Sequence, residues 1–252
     1  MNTTNILFPV KVPYSTAPDI LKLKEDFSIT PITEAAHAYK LNQQAIFPND
    51  LFGELQSDEL RNCIEEVAKK YNLPKSNSIL DLAMLMEEDF AILALGKVVA
   101  ICFCSPSGFI PSNILGKSFF EIHQPIPDAE LLLKMSDKMG AVLSDNTRGP
   151  YRRYVWSITA NPSGNQHPSL KNNFHPTSID ELFFRTEVQT TVPLGDHVHA
   201  LFFIKVNMIP LALVWKEDSM RKDVLDSIDS MSDAMLDYKN LKAIKSILNN
   251  SK

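Results

Sequence analysis

Two apolar runs, Phe90–Leu95 and Val98–Cys104, broken only by Gly96-Lys97, constrain this chain more than any other feature. Both are rich in β-forming residues, and a two-residue break carrying glycine predicts a tight hairpin centred on Gly96-Lys97. A strand with one wet face alternates apolar and polar positions. These arms are apolar at nearly every position, which predicts cover on both faces. Ala200–Val206 is also apolar on both faces and belongs deep in the same sheet.

Other segments fit around that hairpin. Leu60, Cys63, Ile64, Val67 and Tyr71 recur at helical spacing and predict a helix over Ser57–Tyr71. Shorter helices are expected over Thr33–Gln44 and Ile79–Met86. Asp128–Leu143 reads as a helix capped by Asp128, with Leu131, Leu132, Met135, Met139 and Val142 inward. Arg153–Thr159, Glu181–Thr191, His197–Met208 and Leu211–Trp215 read as strands. Asp223–Leu248 reads as one or two amphipathic helices, and Ala160–Ser178 as a long loop, an insertion or a lid. The sum is an α+β fold, a mostly antiparallel sheet of about five or six strands with flanking helices. One domain is expected over residues 1–252: a helical part over 1–75, a sheet core over 87–215 and C-terminal helices over 223–252.

A net charge of −5 with no basic stripe argues against a nucleic-acid partner, which needs clustered Lys and Arg for the phosphates. Cys63, Cys102 and Cys104 form no disulfide framework, which suits a reducing compartment. Met-Asn-Thr-Thr-Asn at the start is unlike a signal peptide, and Phe90–Cys104 is too short and interrupted to span a bilayer. A soluble, cytoplasmic protein is expected. Phosphate-binding glycine loops, nucleophile motifs and zinc spacings are absent from the sequence.

His123 lies between Ile122 and the Pro125–Pro127 pair. Proline locks its own φ and restricts the residue before it, so Gln124 and Ile126 are expected extended and the imidazole fixed in direction. Such a residue is a metal or haem ligand, or a hydrogen-bonded core histidine. Arg185, Glu187 and Gln189 share one face of their strand and face either solvent or a polar pocket. His197 and His199 also share a face, but no carboxylate follows at chelating distance, so a polar strand start explains them better. Cys102 and Cys104 read as core residues rather than thiolate ligands.

The ordered segments Glu87-Glu88-Asp89-Phe90, Cys104-Ser-Pro-Ser107, Gly116-Lys117, Ile122-His-Gln-Pro-Ile-Pro127, Arg153-Tyr-Val-Trp-Ser157, Arg185-Thr-Glu-Val-Gln-Thr190, Leu201-Phe-Phe-Ile-Lys205, Pro210-Leu211 and Tyr238-Lys239-Asn240-Leu241 carry a resemblance. From about Phe8 to Leu241 the chain resembles the haem-dependent oxidative N-demethylase alpha-subunit-like family. It departs from that pattern where Phe109 replaces Trp, Ile114 replaces Lys, Val155 replaces Asn, and Thr190-Thr-Val-Pro-Leu-Gly195 replaces a basic run.

The resemblance implies a PAS-like domain that binds haem b and oxidises small methylated amines. It also implies a separate flavin and iron–sulfur protein as electron donor, because no such module is encoded here. Carried over by position, it makes His123 the haem-iron ligand, Arg153 and Arg185 cofactor-binding residues, and Glu187 and Gln189 the catalytic groups lining the oxygen side. A structural ion pair between Arg185 and Glu187 competes with that assignment. A haem-based sensor without turnover and a haem-free small-molecule binder are the alternatives to the enzyme.

Overall fold

The computed structural model describes residues 6–251 apart from 146 and 172, and the N-terminal pentapeptide read above lies outside them. Its centre is a seven-stranded sheet in which every pairing is antiparallel. In chain order the elements are β1 (Leu21–Lys22), α1 (Glu34–Ile46), β2 (Phe52–Glu54), α2 (Asp58–Lys70), α3 (Ile79–Ala83), β3 (Asp89–Ala94) and β4 (Lys97–Cys102). There follow α4 (Phe119–His123), α5 (Glu130–Lys134), α6 (Ser136–Ser144), β5 (Tyr151–Thr159), β6 (Phe183–Pro193) and β7 (His199–Pro210). The chain closes with α7 (Leu211–Trp215), α8 (Asp218–Asp229), α9 (Asp233–Tyr238) and α10 (Lys245–Asn250). Strand order is β1-β5-β6-β7-β3-β4-β2. The α+β class expected from the sequence holds, and the strand count exceeds expectation because β1 and β2 are only two and three residues long.

The doubly covered hairpin is present, with α2 and α3 on one face and the segment after β4 on the other, and the C-terminal helices cover the strands farther across the sheet. On one face α2 and α3 bury Leu60, Ile64, Val67, Ile79 and Leu82 against Phe90, Ile92, Leu201 and Phe203. Farther along that face, the C-terminal helices bury Leu211, Val214, Val224, Met235 and Leu248 against Trp156, Ile158 and Phe184. On the other face the segment after β4 packs Phe109, Ile114, Leu115 and Ile122 onto Ala91, Ile101, Phe103 and Ile204. Fully burying one such aliphatic or aromatic side chain contributes about 1.5–3 kcal/mol, so these clusters dominate the stabilisation.

Several local expectations are corrected by tertiary context. The hairpin turn is Leu95-Gly96, one residue earlier than expected, with φ of +47° and +79° and Ala94 opposite Lys97. Positive φ at both central positions gives the turn a twist matching that of the strands. A Cβ on Gly96 would lie 2.7 Å from the Gly140 Cα, so the turn also seats α6. Leu211–Trp215 is helical, not a strand, because Leu211, Val214 and Trp215 at spacing three and four reach the core that a strand would reach only at alternate positions.

The expected helix over Asp128–Leu143 is broken at Met135 into α5 and α6. Asp128 takes φ +55° and accepts a hydrogen bond from Ser232 instead of capping. Leu131 is consequently 62% exposed and Met135 44% exposed, against the inward expectation, while Leu132 and Met139 are buried. The long loop after β5 is pinned: Asn165 is buried and donates to Gln43 at 2.7 Å, and His167 stacks on Phe47 with ring centroids 4.2 Å apart.

Candidate functional site

Alternation along β6 places Arg185, Glu187 and Gln189 on one face, opposite Ser157, Val155 and Arg153 of β5. Met208, Val206 and Ile204 of β7 continue the same face. Strand geometry alone therefore brings four of the five site candidates together, Arg153 beside Gln189. The fifth, His123, comes from the layer over that face. Ile122 packs against the cluster of Ala91, Val98, Ile101, Phe103 and Ile204, whereas Ile126 packs against the cluster containing Trp156 on the opposite face. Between residues 122 and 126 the chain thus passes from one hydrophobic cluster to the other, and the charge of Arg153 reaches His123.

The expectation that His123 rides an extended proline rail is corrected. It ends α4, which starts in a capping box: Ser118 Oγ accepts from the Glu121 amide at 3.3 Å, and Glu121 Oε2 accepts from the Ser118 amide at 2.8 Å. Gln124 is αR, held by its amide on the Phe120 carbonyl at 2.8 Å despite the following proline. The imidazole is nonetheless fixed in direction. Its ring stacks on Phe119 at 3.9 Å, and Nδ1 lies 2.7 Å from the Phe119 carbonyl oxygen. A carbonyl only accepts, so Nδ1 carries the proton and Nε2 keeps its lone pair. Burial pushes the imidazolium pKa down to about 4, the Phe119 contact opposes this, and the charge of Arg153 lowers it further. At neutral pH the ring is neutral.

Arg185 is almost fully buried, at 1% exposure. Its Nη1 donates to Glu187 Oε1, Nε to the Gly164 carbonyl at 3.1 Å, and Nη2 to the Ser105 carbonyl at 2.8 Å. Glu187 also accepts from Gln189 Nε2 at 2.6 Å. Burial alone would raise the Glu187 carboxyl, but the charge and hydrogen bond of Arg185, the Gln189 amide and the charge of Arg153 outweigh it and hold the pKa below the usual range. Glu187 is therefore an ionised, doubly engaged carboxylate.

Arg153 differs. Its Nε is buried with no hydrogen-bond partner, and among the described residues no carboxylate lies within ion-pair distance of its guanidinium. Lys239 adds another cation: Nζ donates to the Trp156 carbonyl at 2.8 Å and sits 5.3 Å from the Tyr14 ring centroid. Burial and the nearby arginines depress its pKa to about 8 against the pull of Glu187. Near Glu187 lie the cations Arg153, Arg185 and Lys239, with Asp89 acting on Arg185 and Asp19 on Arg153 as further carboxylates. Sequence reasoning missed Tyr14 and Lys239. Lys239 stood within a motif segment, but nothing local pointed it at Glu187.

The remaining candidates fall elsewhere. His199 Nδ1 meets Asp196 Oδ2 at 2.5 Å in the β6–β7 turn, and Cys102 and Cys104 are buried against α2 and α3 on the opposite face. Among the described residues no three His, Cys, Asp or Glu side chains cluster as a metal site, and no helix is long and apolar enough to cross a membrane. Two hollows stand out, about 480 Å³ at the end of α2 and about 190 Å³ between α1 and β7; neither is lined by His123 or Arg153.

A family model described as haem-dependent oxidative N-demethylase, alpha subunit-like, matches residues 36–249. The chain belongs to that family. No curated protein matches it. Members of the family are haem-dependent by description, and this chain's residues fit such a group on two counts. One is the neutral His123 with a free Nε2. The other is Arg153, whose buried, partnerless nitrogen suits an acidic group such as a porphyrin carboxylate.

Proposed function

We propose that this chain is a haem-binding oxidoreductase that oxidises a small methylated amine, with His123 as the iron ligand and Arg153 as the partner of a haem carboxylate. The observation that carries the reading is the locked, neutral imidazole of His123, with Nδ1–H on a backbone carbonyl and Nε2 free, close enough to the unpaired Arg153 to feel its charge. A second nitrogen fixed by a carbonyl is how proteins orient a metal-binding histidine. The strand order supports the PAS-like part of the reading: β3 to β7, numbered one to five in chain order, lie as 2-1-5-4-3.

When bound, haem b supplies dioxygen activation and oxidation of the carbon next to nitrogen, with electrons from a separate flavin and iron–sulfur protein. The protein's own residues do the rest. Phe119 holds the His123 tautomer. Arg153 supplies charge and N–H donors to an acidic group, and the half-buried Val155, Val206 and Met208 exclude water from that face. Arg185, with three donors already given to Glu187, Gly164 and Ser105, acts by positioning Glu187 and Gln189 rather than by binding the cofactor.

One observation favours a second reading, haem binding without amine turnover. Three cations surround Glu187, and a positively charged methylammonium is repelled from such a site.

The test is an absorption titration of the purified chain with haem, followed by a formaldehyde assay on methylated amines with an artificial reductant. The wild type is expected to give a Soret band that His123→Ala shifts or abolishes and Arg153→Met weakens. A spectrum unchanged in His123→Ala removes the ligand assignment. Haem binding with no formaldehyde favours the second reading.

A further inference from the structure

The hollow of about 190 Å³ lies at the β7 edge beyond the end of β3, lined by Ala36, Tyr39 and Lys40 of α1, Glu87 and Asp89, Ser105, and Ile204, Lys205 and Val206. Asp89 is only 4% exposed. Its Oδ1 accepts from the Cys104 amide at 2.9 Å and its Oδ2 from the Ser105 amide at 2.8 Å, one donor to each oxygen. Each oxygen therefore keeps a lone pair. No Lys, Arg or His among the described residues lies within ion-pair distance of it. A buried carboxylate without a contacting cation is costly, and burial raises its pKa against the opposing charge of Lys40, the two amides and the more weakly acting charge of Arg185.

The cations lining the hollow are committed elsewhere. Lys40 Nζ donates to the carbonyls of Ala83, Met86 and Glu88 at 2.9, 2.9 and 2.7 Å, which uses all three of its N–H bonds. Lys205 Nζ is 3.0 Å from Glu87 Oε2 and donates to Thr30 Oγ1 at 3.0 Å. The Tyr39 hydroxyl and Ser105 Oγ, 3.0 Å apart, add oxygen atoms. Acceptor capacity therefore exceeds free donors, and Ala36, Ile204 and Val206 leave room for at most a small apolar part.

We propose that this hollow binds a small monovalent cation carrying N–H donors, ammonium or a primary alkylammonium, on Asp89, Ser105 and Tyr39. It is separate from the His123–Arg153 surface and does not depend on haem. It lies one peptide group from it, because Ser105 gives its amide to Asp89 and its carbonyl to Arg185.

The experiment is thermal unfolding of the full chain in ammonium, methylammonium, sodium or tetramethylammonium chloride at matched ionic strength. The first two salts are expected to raise Tm saturably over the sodium baseline, by about 3–5 °C at ten times the dissociation constant. Tetramethylammonium, which has no N–H, is expected to match sodium. Ala36→Leu fills the hollow from α1 without touching a polar group and is expected to abolish the difference while the variant still unfolds cooperatively. Tyr39→Phe is expected to weaken it several-fold. Equal Tm in ammonium and sodium, or an undiminished ammonium effect in Ala36→Leu, overturns the assignment.

Discussion

Replacing Arg185 by methionine isolates what the buried network contributes. The substitution leaves the site filled but removes the partner of Glu187 and the donors to the Gly164 and Ser105 carbonyls. Breaking a buried ion pair from one side costs about 3–5 kcal/mol. Orphaning the two carbonyls adds about 1 kcal/mol each at the low end. Neighbouring losses are not additive, so a net cost of about 4–6 kcal/mol is expected. At roughly 2–4 °C per kcal/mol for a chain of this size, Tm falls by about 10–20 °C. Urea denaturation and calorimetry read both quantities. The double variant Arg185→Met, Glu187→Leu no longer buries a lone carboxylate and is expected to recover at least about 2 kcal/mol of the loss. A single-variant cost below about 1 kcal/mol, or a double variant as unstable as the sum of its parts, refutes the coupling drawn between these residues.

Other outcomes follow from single groups. His123 stays neutral in the fold down to about pH 4, whereas an unfolded histidine protonates near 6.5. Stability is therefore lost as pH falls between those values, by on the order of 3 kcal/mol at most, and His123→Gln should flatten denaturation midpoints measured across that window. Lys239 has the opposite window: with a folded pKa of about 8, the unfolded chain holds more protons above it. Its contribution makes stability rise with pH from about 8 to about 10.4, and Lys239→Met should remove that rise in urea titrations. Gly96→Ala forces a Cβ to 2.7 Å from Gly140 at φ +79°, and should cost more than about 1 kcal/mol in chemical denaturation. Phe90→Ala empties a fully buried position stacked on Phe203 at 4.9 Å, with an expected loss of about 3–5 kcal/mol by the same method.

Much of the fold is written in local periodicity. The helical stripe of α2, the doubly apolar arms of β3 and β4, and the shared face of Arg185, Glu187 and Gln189 all follow from spacings of 3.6 or two residues. These patterns are fixed by backbone geometry, so a sequence displays them directly. The capping box of Ser118 and Glu121 was equally visible, yet the prolines after His123 suggested an extended run. Leu211–Trp215 and the break at Met135 depended on which core each segment had to reach.

What the amino-acid order by itself determined is the α+β class, the buried hairpin and the set of residues that share a strand face. Tertiary structure alone decided their electrical state. Ser105, 80 residues before Arg185, takes one of its donors, and Gly164, 21 residues before it, takes another. Arg153 is left with a buried, partnerless nitrogen, and Lys239 arrives from the C-terminal helices. Coulomb energy and desolvation depend on distance and burial in space, not on separation along the chain. The same arginine can therefore be a structural tie or a free binding group, according to which carbonyls fold against it.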